Sequence, residues 1–412
     1  MRTLLHAITK ALHKKRKKLR QSYEKWVFQQ RLHPTAQSLR QAVLQESEVA
    51  LADASSHESE QACLASPDPT VRQGFLLRQA LCQEFENAYR NSTQRILIHV
   101  PSSAASPAGY SLFSNLAECL SFLGVPTQIL GWDDDSATVF AQFEPTLFLT
   151  SEDDSYLERV DWSSIHRYRN NHALQIGFTA PLLANDVAPN FSKIAWAKEH
   201  GIDFFYSFRD QHYLDSHPVY RELEREGFKT VSLPWGANIL RYYPVAGFER
   251  DLNYVLIASR KREHIAYMAS IAQRYSGFID GPGWSHIAHF QFHRDRDRYI
   301  YSRAKVGLNV HLPEQIHTVF ELNERTYQLA ACGAPQLVDH PKLLDLAFSK
   351  EAVFVADSPA QFTDLFEALI HDPSLGPKAA LIAQQEVFAK HTTFHRAKAF
   401  LEQIECLSKK PV

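Results

Sequence analysis

The residues best suited to binding a charged ligand lie between positions 322 and 341, in the stretch LNERTYQLAACGAPQLVDHP. Four polar residues open a predicted helix just after a loop: Asn323, Glu324, Arg325 and Thr326. Free backbone N–H groups at a helix N-terminus favour a phosphate, and the guanidinium of Arg325 could add a charge-assisted contact. An ordinary βαβ unit with its helix cap and turn would show the same pattern, so a phosphate site and a purely structural unit both stay open here.

Three histidines have a spacing that would suit zinc on one helical face: His286, His289 and His293. No carboxylate or cysteine pattern in the sequence completes such a site. We therefore interpret the three histidines as a polar helix face and predict no metal.

The elements that would position these residues alternate between short β-rich runs and helical patterns, which is typical of parallel α/β sheets. A first series of strands is predicted at residues 95–100, 127–130, 146–149, 174–178, 204–208 and 230–233. After a pause at Pro234-Trp235-Gly236, a second series is predicted at residues 252–258, 277–280, 305–310, 335–338 and 353–355. Three helices are predicted to end the chain, at residues 359–371, 376–390 and 393–407.

These patterns divide the 412 residues into three parts. Residues 1–90 are expected to form a helical extension, residues 91–240 a first Rossmann-like domain and residues 241–392 a second. Both domains are predicted to be doubly wound parallel sheets, and a ligand is expected in the cleft between them.

Several ligand classes are excluded because their motifs are missing. The sequence has no G-x-G-x-x-G, no G-x-x-x-x-G-K-[ST] and no G-x-S-x-G. It has only 15 glycines, so few loops can wrap a phosphate with bare backbone. A dinucleotide dehydrogenase, a P-loop NTPase or a serine hydrolase is therefore not expected.

Charge is distributed unevenly along the chain. The formal net charge is −2, but residues 1–31 carry ten Lys or Arg residues and one acid, Glu24. This basic head has a net charge of +9, which leaves −11 for the remaining residues. Its apolar residues fall near one face of a helix: Leu4, Leu5, Ile8, Leu12, Leu19, Tyr23 and Trp26. A helix on an anionic membrane surface has this character, although a solvated tail or a helix docked on the body also fits. No nucleic-acid partner is expected, because the aromatic residues are not interleaved with the basic run.

The cysteines indicate a reducing compartment. The five are scattered, and no two form a C-x-x-C pair: Cys63, Cys82, Cys119, Cys332 and Cys406. No stretch approaches the roughly 18 apolar residues that span a bilayer, and the N-terminus does not have the order of a signal peptide. We expect a cytoplasmic protein, which would be peripheral at the inner membrane if the basic head binds lipid.

The second half of the chain resembles the GT-B glycosyltransferases, in particular their CgeB-like branch. The segment NERTYQLAACG is similar to the pattern N-x-R-[TS]-[FY]-E-x-x-A-C-G of that branch. The likeness extends upstream through LPWGANILRYYP, YVLIASRKREHI, DGPGW and VGLNVH, and downstream through FVADSPAQFTDLFEAL and HTTFHRAKAFLEQI. The resemblance implies a GT-B fold, in which residues 91–240 bind the acceptor, residues 241–392 bind the donor, and the last helix, at 393–412, packs back on the first domain.

The resemblance also implies a set of nucleotide-sugar contacts. They lie at a strand end, in a turn, after a further strand and on the NERT-like helix: Ser259, Arg260, Lys261, Gly281, Gly283, His311, Asn323, Glu324, Arg325, Thr326 and Gln328. A departing diphosphate accumulates negative charge that Arg or Lys neutralises, and Arg262 belongs to the same basic cluster as Lys261. Gln328 departs from the family pattern, because an acidic residue usually holds the ribose hydroxyls at this position.

The acceptor side is implied only by the fold. A general base for an inverting reaction would be an Asp, Glu or His of the first domain. By position the candidates are His99, Asp210 and His212. A retaining reaction would not require such a base, so the stereochemistry stays open.

The predicted activity is the transfer of a sugar from a UDP- or GDP-type donor to a glycan, lipid-linked or protein acceptor, without a cofactor. Bacterial surface polysaccharide or glycoconjugate synthesis is the expected setting. A nucleotide-sugar epimerase on the same fold is one alternative, and it would need paired acid/base carboxylates near the sugar. A non-catalytic GT-B-like binding or scaffold protein is the other, and the Gln328 departure suits it.

Overall fold

Two parallel β-sheets organise the protein. The computed structural model describes Phe28, residues 32–284 and residues 293–408. Its first sheet has six strands: β1 (Ile96–Val100), β2 (Thr127–Gly131), β3 (Leu147–Thr150), β4 (Gln175–Thr179), β5 (Phe204–Ser207) and β6 (Thr230–Ser232). They lie in the order β2-β1-β3-β4-β5-β6, and every pairing is parallel. The order reverses between β1 and β3, which is where ligands bind in such sheets.

The second sheet has five strands: β7 (Val255–Ile257), β8 (Phe278–Asp280), β9 (Gly307–Asn309), β10 (Gln336–Val338) and β11 (Phe354–Val355). They lie in the order β11-β10-β9-β7-β8 and are also parallel. The order reverses between β7 and β9. Each of these eleven strands overlaps a stretch predicted from the sequence, and the predicted class of two doubly wound Rossmann-like domains is confirmed.

Helices surround both sheets. The extension contains α1 (Ala36–Ala52), α2 (Ala54–Glu58), α3 (Glu60–Ala65) and α4 (Pro69–Phe85). The first domain contains α5 (Pro107–Phe122), α6 (Ser136–Phe143), α7 (Asp154–Leu157), α8 (Trp162–Arg169), a 3-10 turn (Ala184–Asp186), α9 (Phe191–Glu199), α10 (Gln211–Ser216) and α11 (Pro218–Arg225). The remaining helices are α12 (Arg262–Arg274), α13 (Asp297–Ser302), α14 (Pro313–His317), α15 (Glu324–Ala331), α16 (Leu344–Ala347), α17 (Pro359–His371), α18 (Leu375–Lys390) and α19 (Thr393–Ser408).

Burial explains why the strands read as continuous apolar runs. β1 and β3 are buried along their whole length. A parallel sheet has helices on both faces, so its strands do not alternate between apolar and polar residues. His99 is the polar exception within β1.

The N-terminal extension packs on the second domain. α1 lies against β8 and α13, and α4 lies against α18. Four ion pairs among the described residues join the extension to this domain: Arg40–Asp280, Glu46–Arg303, Glu58–Arg298 and Asp68–Arg250. At the other end of the chain, α19 lies against α5 and β6 of the first domain.

The basic head at residues 1–31 lies outside the described residues except for Phe28. That phenylalanine is buried, and its ring centroid is 5.6 Å from that of Trp284. Membrane binding by the head stays a prediction. Among the helices that the structure describes, none is long and apolar enough to cross a bilayer.

Candidate active site

A cleft of about 310 Å³ lies between the two domains. The first domain contributes the N-terminal end of α5 through Pro107, Ala108 and Ser111. The second domain contributes the loops that follow β7, β8 and β9, together with the N-terminal end of α15. The cleft therefore lies at the switch point of the second sheet and is closed by a helix that follows β1 of the first.

Arg325 lies in the wall of the cleft and is 8% exposed. Its guanidinium donates to the carbonyl oxygens of Ile257 at 3.2 Å and Val310 at 2.9 Å, and to Asn309 Oδ1 at 3.2 Å. In the part of the chain that the structure describes, Arg325 forms no salt bridge with a carboxylate. Burial lowers its pKa, but an arginine stays charged in proteins. The wall thus holds a positive charge that an anionic ligand could balance.

Asn323 and Thr326 support the start of α15. Asn323 is the N-cap, and its Oδ1 accepts from the Thr326 N–H at 3.1 Å. Thr326 is fully buried, and its hydroxyl accepts from Asn309 Nδ2 at 2.8 Å. Asn323 lines the cleft, whereas Thr326 is not among its lining residues. Both residues were predicted to contact the phosphates, and the structure places Thr326 behind that surface.

His311 is buried beside Asp339. The Asp339 carboxylate accepts from the His311 backbone N–H at 2.6 Å, and its other oxygen lies 2.6 Å from Nδ1 of the ring. The ring Nε2 lies 3.2 Å from the Thr326 hydroxyl. His311 is therefore held inside the domain, and its neighbours Val310 and Leu312 line the cleft instead.

The strand-end cluster divides into residues that line the cleft and residues that do not. Ser259 and Lys261 line it, as does Gly281 from the loop after β8. Arg260 instead joins the two loops through its backbone N–H, which donates to the Pro282 oxygen at 2.7 Å. Gly283 has a φ of +85°, a left-handed conformation that favours glycine in this turn.

Glu324 connects the two domains across the cleft. Its carboxylate accepts from the Ser111 hydroxyl and from Asn115 Nδ2, each at 2.7 Å. Burial raises the pKa of Glu324 to about 7, although these hydrogen bonds and Arg294 favour the ionised form. Gln328 lies one turn further along α15, is buried and lines the same cleft. Glu324 and Gln328 were both predicted to contact the nucleotide sugar; the structure places both in the wall of the cleft, and the contact itself stays a prediction.

Two further carboxylates, which the sequence analysis did not single out, line the cleft. Asp297 is buried and accepts from Arg296, and burial raises its pKa to about 6. Glu321 accepts from Gln315 Nε2 at 2.8 Å and forms an ion pair with Arg209. Asp297 begins α13, and Glu321 lies in the loop before α15. Neither belongs to a recognisable motif, so no local pattern in the sequence marks them.

His264 also lines the cleft and was not predicted. Its Nε2 lies 3.2 Å from the Val310 oxygen, and burial lowers the pKa of His264 to about 3. The ring is therefore neutral near pH 7 and can only donate or accept a hydrogen bond. His264 lies three residues after Lys261, in the first turn of α12. This spacing places both residues near the end of β7, and it is the feature of the sequence from which His264 could have been predicted.

The three predicted catalytic residues do not line the cleft. His99 is fully buried in β1, its Nδ1 lies 2.9 Å from the Thr150 hydroxyl, and burial lowers its pKa to about 4. Asp210 is the N-cap of α10 and accepts from the His212 N–H at 2.9 Å. The His212 side chain is exposed.

A second pocket, of about 370 Å³, follows β3, β4 and β5 of the first domain. Glu152 lies in its wall, and burial raises the pKa of this carboxyl to about 7. The Ser151 hydroxyl donates to Glu152 Oε2 at 3.1 Å, and the Glu152 N–H donates to Thr179 Oγ1 at 2.9 Å. This acid, on the loop after β3, is a group of the kind expected of a general base.

Arg209 joins the second pocket to the cleft. It lines that pocket, pairs with Asp186 at 2.9 Å and also pairs with Glu321 in the wall of the cleft. Asn185 and Asp186 both have left-handed backbones, with φ of +63° and +56°. Consecutive non-glycine residues in this region store strain of the kind that clusters at functional sites.

No group of three or more His, Cys, Asp or Glu side chains within residues 32–284 and 293–408 could hold a metal ion. His286 and His289 lie outside the described residues, and His293 lies in no helix or strand. The absence of a metal in the reaction stays a prediction.

Residues 271–402 match the family described as Glycosyl transferase-like. This segment includes the loop after β8, the strands β9 to β11 and the cleft-lining end of α15. No curated protein matches the chain in sequence.

The solved structures that share the fold include two glycosyl-transferring enzymes with a TM-score of 0.50. Sucrose-phosphate synthase from Thermosynechococcus elongatus is 14% identical with a TM-score of 0.50, over 76% of this chain and 99% of that one. An α-glucosyltransferase, solved with UDP-glucose and DNA containing an abasic site, is 11% identical with a TM-score of 0.50, over 77% of this chain and 100% of that one. The predicted GT-B fold is confirmed by the two sheets and these neighbours, and the predicted enzyme class, a glycosyltransferase, by the family match.

Proposed function

We propose that the protein transfers a sugar from a UDP- or GDP-linked donor to a hydroxyl of a glycan, a lipid-linked glycan or a protein. Bacterial surface polysaccharide or glycoconjugate synthesis is the setting we propose. The observation that carries the proposal is Arg325, a buried cation without a salt-bridge partner among the described residues, in the wall of a cleft that both domains line. A diphosphate is the anion whose charge this wall would balance.

The donor side of the cleft is suited to a diphosphate leaving group. Arg325 and Lys261 bring two positive charges to the cleft, and the N-terminal end of α15, an end that favours anions, lies in the same wall. These groups are already in place before the sugar–phosphate bond breaks, so they stabilise the charge that develops on the departing phosphate. Our proposal assigns this task to the protein, with no metal or other cofactor.

The acceptor side is assigned to the second pocket. In an inverting reaction, the acceptor hydroxyl attacks the anomeric carbon, its proton passes to Glu152, and the nucleoside diphosphate leaves. A carboxyl with a pKa of about 7 accepts a proton effectively at neutral pH. We therefore propose Glu152 as the general base in place of His99, whose pKa of about 4 makes it a weak base.

Binding of UDP and GDP is the first test, and the solved α-glucosyltransferase with UDP-glucose makes UDP the first choice. We expect UDP to bind in isothermal titration calorimetry. Lys261→Ala should weaken binding by about 10-fold, because one charge-assisted contact is lost. Arg262→Ala is the matched control, because Arg262 is an exposed neighbour that does not line the cleft. If neither nucleotide binds the wild type, the proposal is wrong.

Epimerisation of the donor remains a second candidate because the cleft contains acidic side chains. Asp297, Glu321 and Glu324 all line it. Each is already bound to a neighbour, Asp297 to Arg296 and Glu321 to Arg209, which favours transfer. Incubation with UDP-glucose, the donor in the solved α-glucosyltransferase, separates the two: a new epimer formed without an acceptor would indicate an epimerase. UDP binding without turnover on any acceptor would indicate the non-catalytic alternative that Gln328 suits.

A further inference from the structure

Asp280, the last residue of β8, has a fully buried carboxylate between two arginines. Its Oδ1 accepts from Arg40 Nη2 at 3.0 Å, and its Oδ2 accepts from Arg296 Nη2 at 2.9 Å. The Gly281 N–H donates to Oδ1 at 2.9 Å. The carboxylate thus determines where the loop after β8 begins.

The two arginines come from different parts of the chain. Arg296 belongs to the second domain and also binds Asp297, which lines the cleft. Arg40 belongs to α1 of the N-terminal extension, 240 residues away from Asp280. Asp280 and Asp297 are therefore two buried acids that share two arginines, and the extension supplies one of these two positive charges.

The loop that Asp280 begins forms part of the cleft wall. Gly281 and Pro282 line the cleft together with Ala258 and Ser259 from the loop after β7. Three hydrogen bonds to backbone carbonyl oxygens join the two loops. The Ala258 N–H donates to the Asp280 carbonyl at 2.9 Å, and the Arg260 N–H donates to the Pro282 carbonyl at 2.7 Å. The Trp284 Nε1–H donates to the Ala258 carbonyl at 2.8 Å. A displacement of one loop is thereby passed to the other.

Close packing at Gly281 leaves little freedom in this arrangement. A Cβ at that position would lie 2.2 Å from the Ala258 oxygen, so the two backbones are already in contact. Packed backbones do not deform gradually, and a small shift of Asp280 would move both loops. The position of Asp280 in turn depends on Arg40 and Arg296.

We propose that Arg40 is a positioning residue for donor binding, and that α1 is a working part of the donor site. This inference rests on the proposed function, since it takes the cleft as the place where the nucleotide binds. Without Arg40, Arg296 would face the buried carboxylates of Asp280 and Asp297 alone, and Asp280 would lose one of its two arginine partners. A buried carboxylate that loses its partner moves toward water or takes up a proton. Either change displaces the loop after β8 from the wall of the cleft.

The test compares UDP binding to the full-length wild type, Arg40→Met and Arg40→Lys by isothermal titration calorimetry. We expect Arg40→Met to raise the Kd for UDP about 10-fold, which is within the range for coupling through a contacting residue. Arg40→Lys should lie between the two, because lysine keeps the charge but loses the planar fork. Hydrogen exchange of the Gly281, Gly283 and Trp284 amides in the unliganded protein should be faster in Arg40→Met.

Arg250→Met is the matched control. Arg250 is as buried as Arg40, with side-chain exposures of 18% and 16%, and it also joins the extension to the second domain, through Asp68. It binds the Gly333 oxygen beyond the other end of α15 and does not line the cleft. Both methionine variants should lower the melting temperature, but only Arg40→Met should weaken UDP binding and speed exchange in the loop.

The outcomes distinguish this inference from the proposed function. If the wild type binds UDP and Arg40→Met binds it equally well, the inference is wrong and the proposed function stands. If Arg250→Met weakens UDP binding as much as Arg40→Met does, the effect is general destabilisation and the inference also fails. If Arg40→Met does not fold, an unchanged Kd for UDP in Arg40→Lys overturns the inference. A wild type that binds neither UDP nor GDP overturns the proposed function itself.

Discussion

At the scale of single residues, the environment of each acid and base decides its chemistry more than its type does. Glu152 and His99 belong to the same domain, yet burial moves their pKa values in opposite directions, to about 7 and about 4. Desolvation disfavours the charged form, which is the anion for a carboxyl and the cation for an imidazole. The carboxyl therefore becomes the better base near neutral pH, and this inversion is not visible in the sequence.

Replacing Glu152 tests its assignment as the base. We expect Glu152→Gln to lower kcat/KM by about 100-fold or more, the usual contribution of a general base. In the wild type, kcat/KM should rise with pH through about 7, because the base must be ionised, and this rise should disappear in the variant. Glu158→Gln, at an exposed acid of the same segment that does not line the pocket, serves as the control. A pH profile that keeps its rise in Glu152→Gln would assign the base to another group.

Gly281 is a second residue whose replacement has a defined outcome. Gly281→Ala combines a φ of +124° with a contact of 2.2 Å to the Ala258 oxygen, so it should cost well over 1 kcal/mol of stability and weaken UDP binding. Gly227→Ala isolates the backbone term, because Gly227 has a φ of +94° and nothing within 4 Å of its Cβ position. Thermal unfolding and calorimetry measure both effects. Equal losses in the two variants would show that the close approach at Gly281 is unimportant.

At the scale of elements, the N-terminal extension packs against the second domain, although it precedes the first domain in the chain. α1 covers β8, which is an edge strand of the second sheet. An uncovered edge exposes unpaired backbone groups and invites wrong pairing, and a packed helix prevents this. The extension therefore stabilises the second domain, although the whole first domain lies between the two in the chain.

Two truncations separate the basic head from the extension. Removing residues 1–27 spares Phe28 and should leave the melting temperature and UDP binding unchanged. It should abolish co-sedimentation with phosphatidylglycerol vesicles if the head binds anionic membranes. Removing residues 1–52 deletes α1 and breaks the buried Arg40–Asp280 pair, which alone should cost about 3–5 kcal/mol. A stable protein after the longer truncation would show that α1 is dispensable for folding.

At the scale of the whole molecule, polar contacts hold the two domains together beside the cleft. Arg209 of the first domain pairs with Glu321 of the second, and Ser111 and Asn115 bind Glu324. An apolar contact lies near them, since the rings of Tyr213 and Phe320 stack with their centroids 5.5 Å apart. Mixed contacts of this kind are typical of interfaces at which domains move relative to each other. Closure around a donor would exclude the water that otherwise hydrolyses it.

The raised pKa of Glu324 predicts a pH dependence of stability. The folded protein holds this proton up to about pH 7, whereas an unfolded Glu releases it near about pH 4.3. The stabilising contribution of the protonated Glu324 carboxyl is therefore largest at low pH, and it is lost as the pH rises toward 7. Between pH 5 and pH 8, the free energy of unfolding of the wild type should fall by about 2.5 kcal/mol relative to Glu324→Gln. Chemical denaturation of both proteins at the two pH values measures this, and parallel curves would contradict it.

The sequence by itself determined the order and type of the elements. Strand positions, the helices near the C-terminus and the N-terminal start of α15 at Asn323 were all predictable, because hydrophobic periodicity and helix caps act over a few residues. The resemblance to the GT-B glycosyltransferases placed Ser259, Gly281 and Arg325 around one ligand, and the structure brings all three to the wall of one cleft.

Only the tertiary structure decided which side chains share an environment. Asp280 meets Arg40 across 240 residues of chain, and burial between the surrounding loops raises the pKa of Glu152 to about 7. His311 and Thr326, which looked like ligand contacts, instead bind Asp339 and Asn309 inside the domain. Contacts between residues distant in sequence, and the desolvation that sets a pKa, depend on the path of the whole chain.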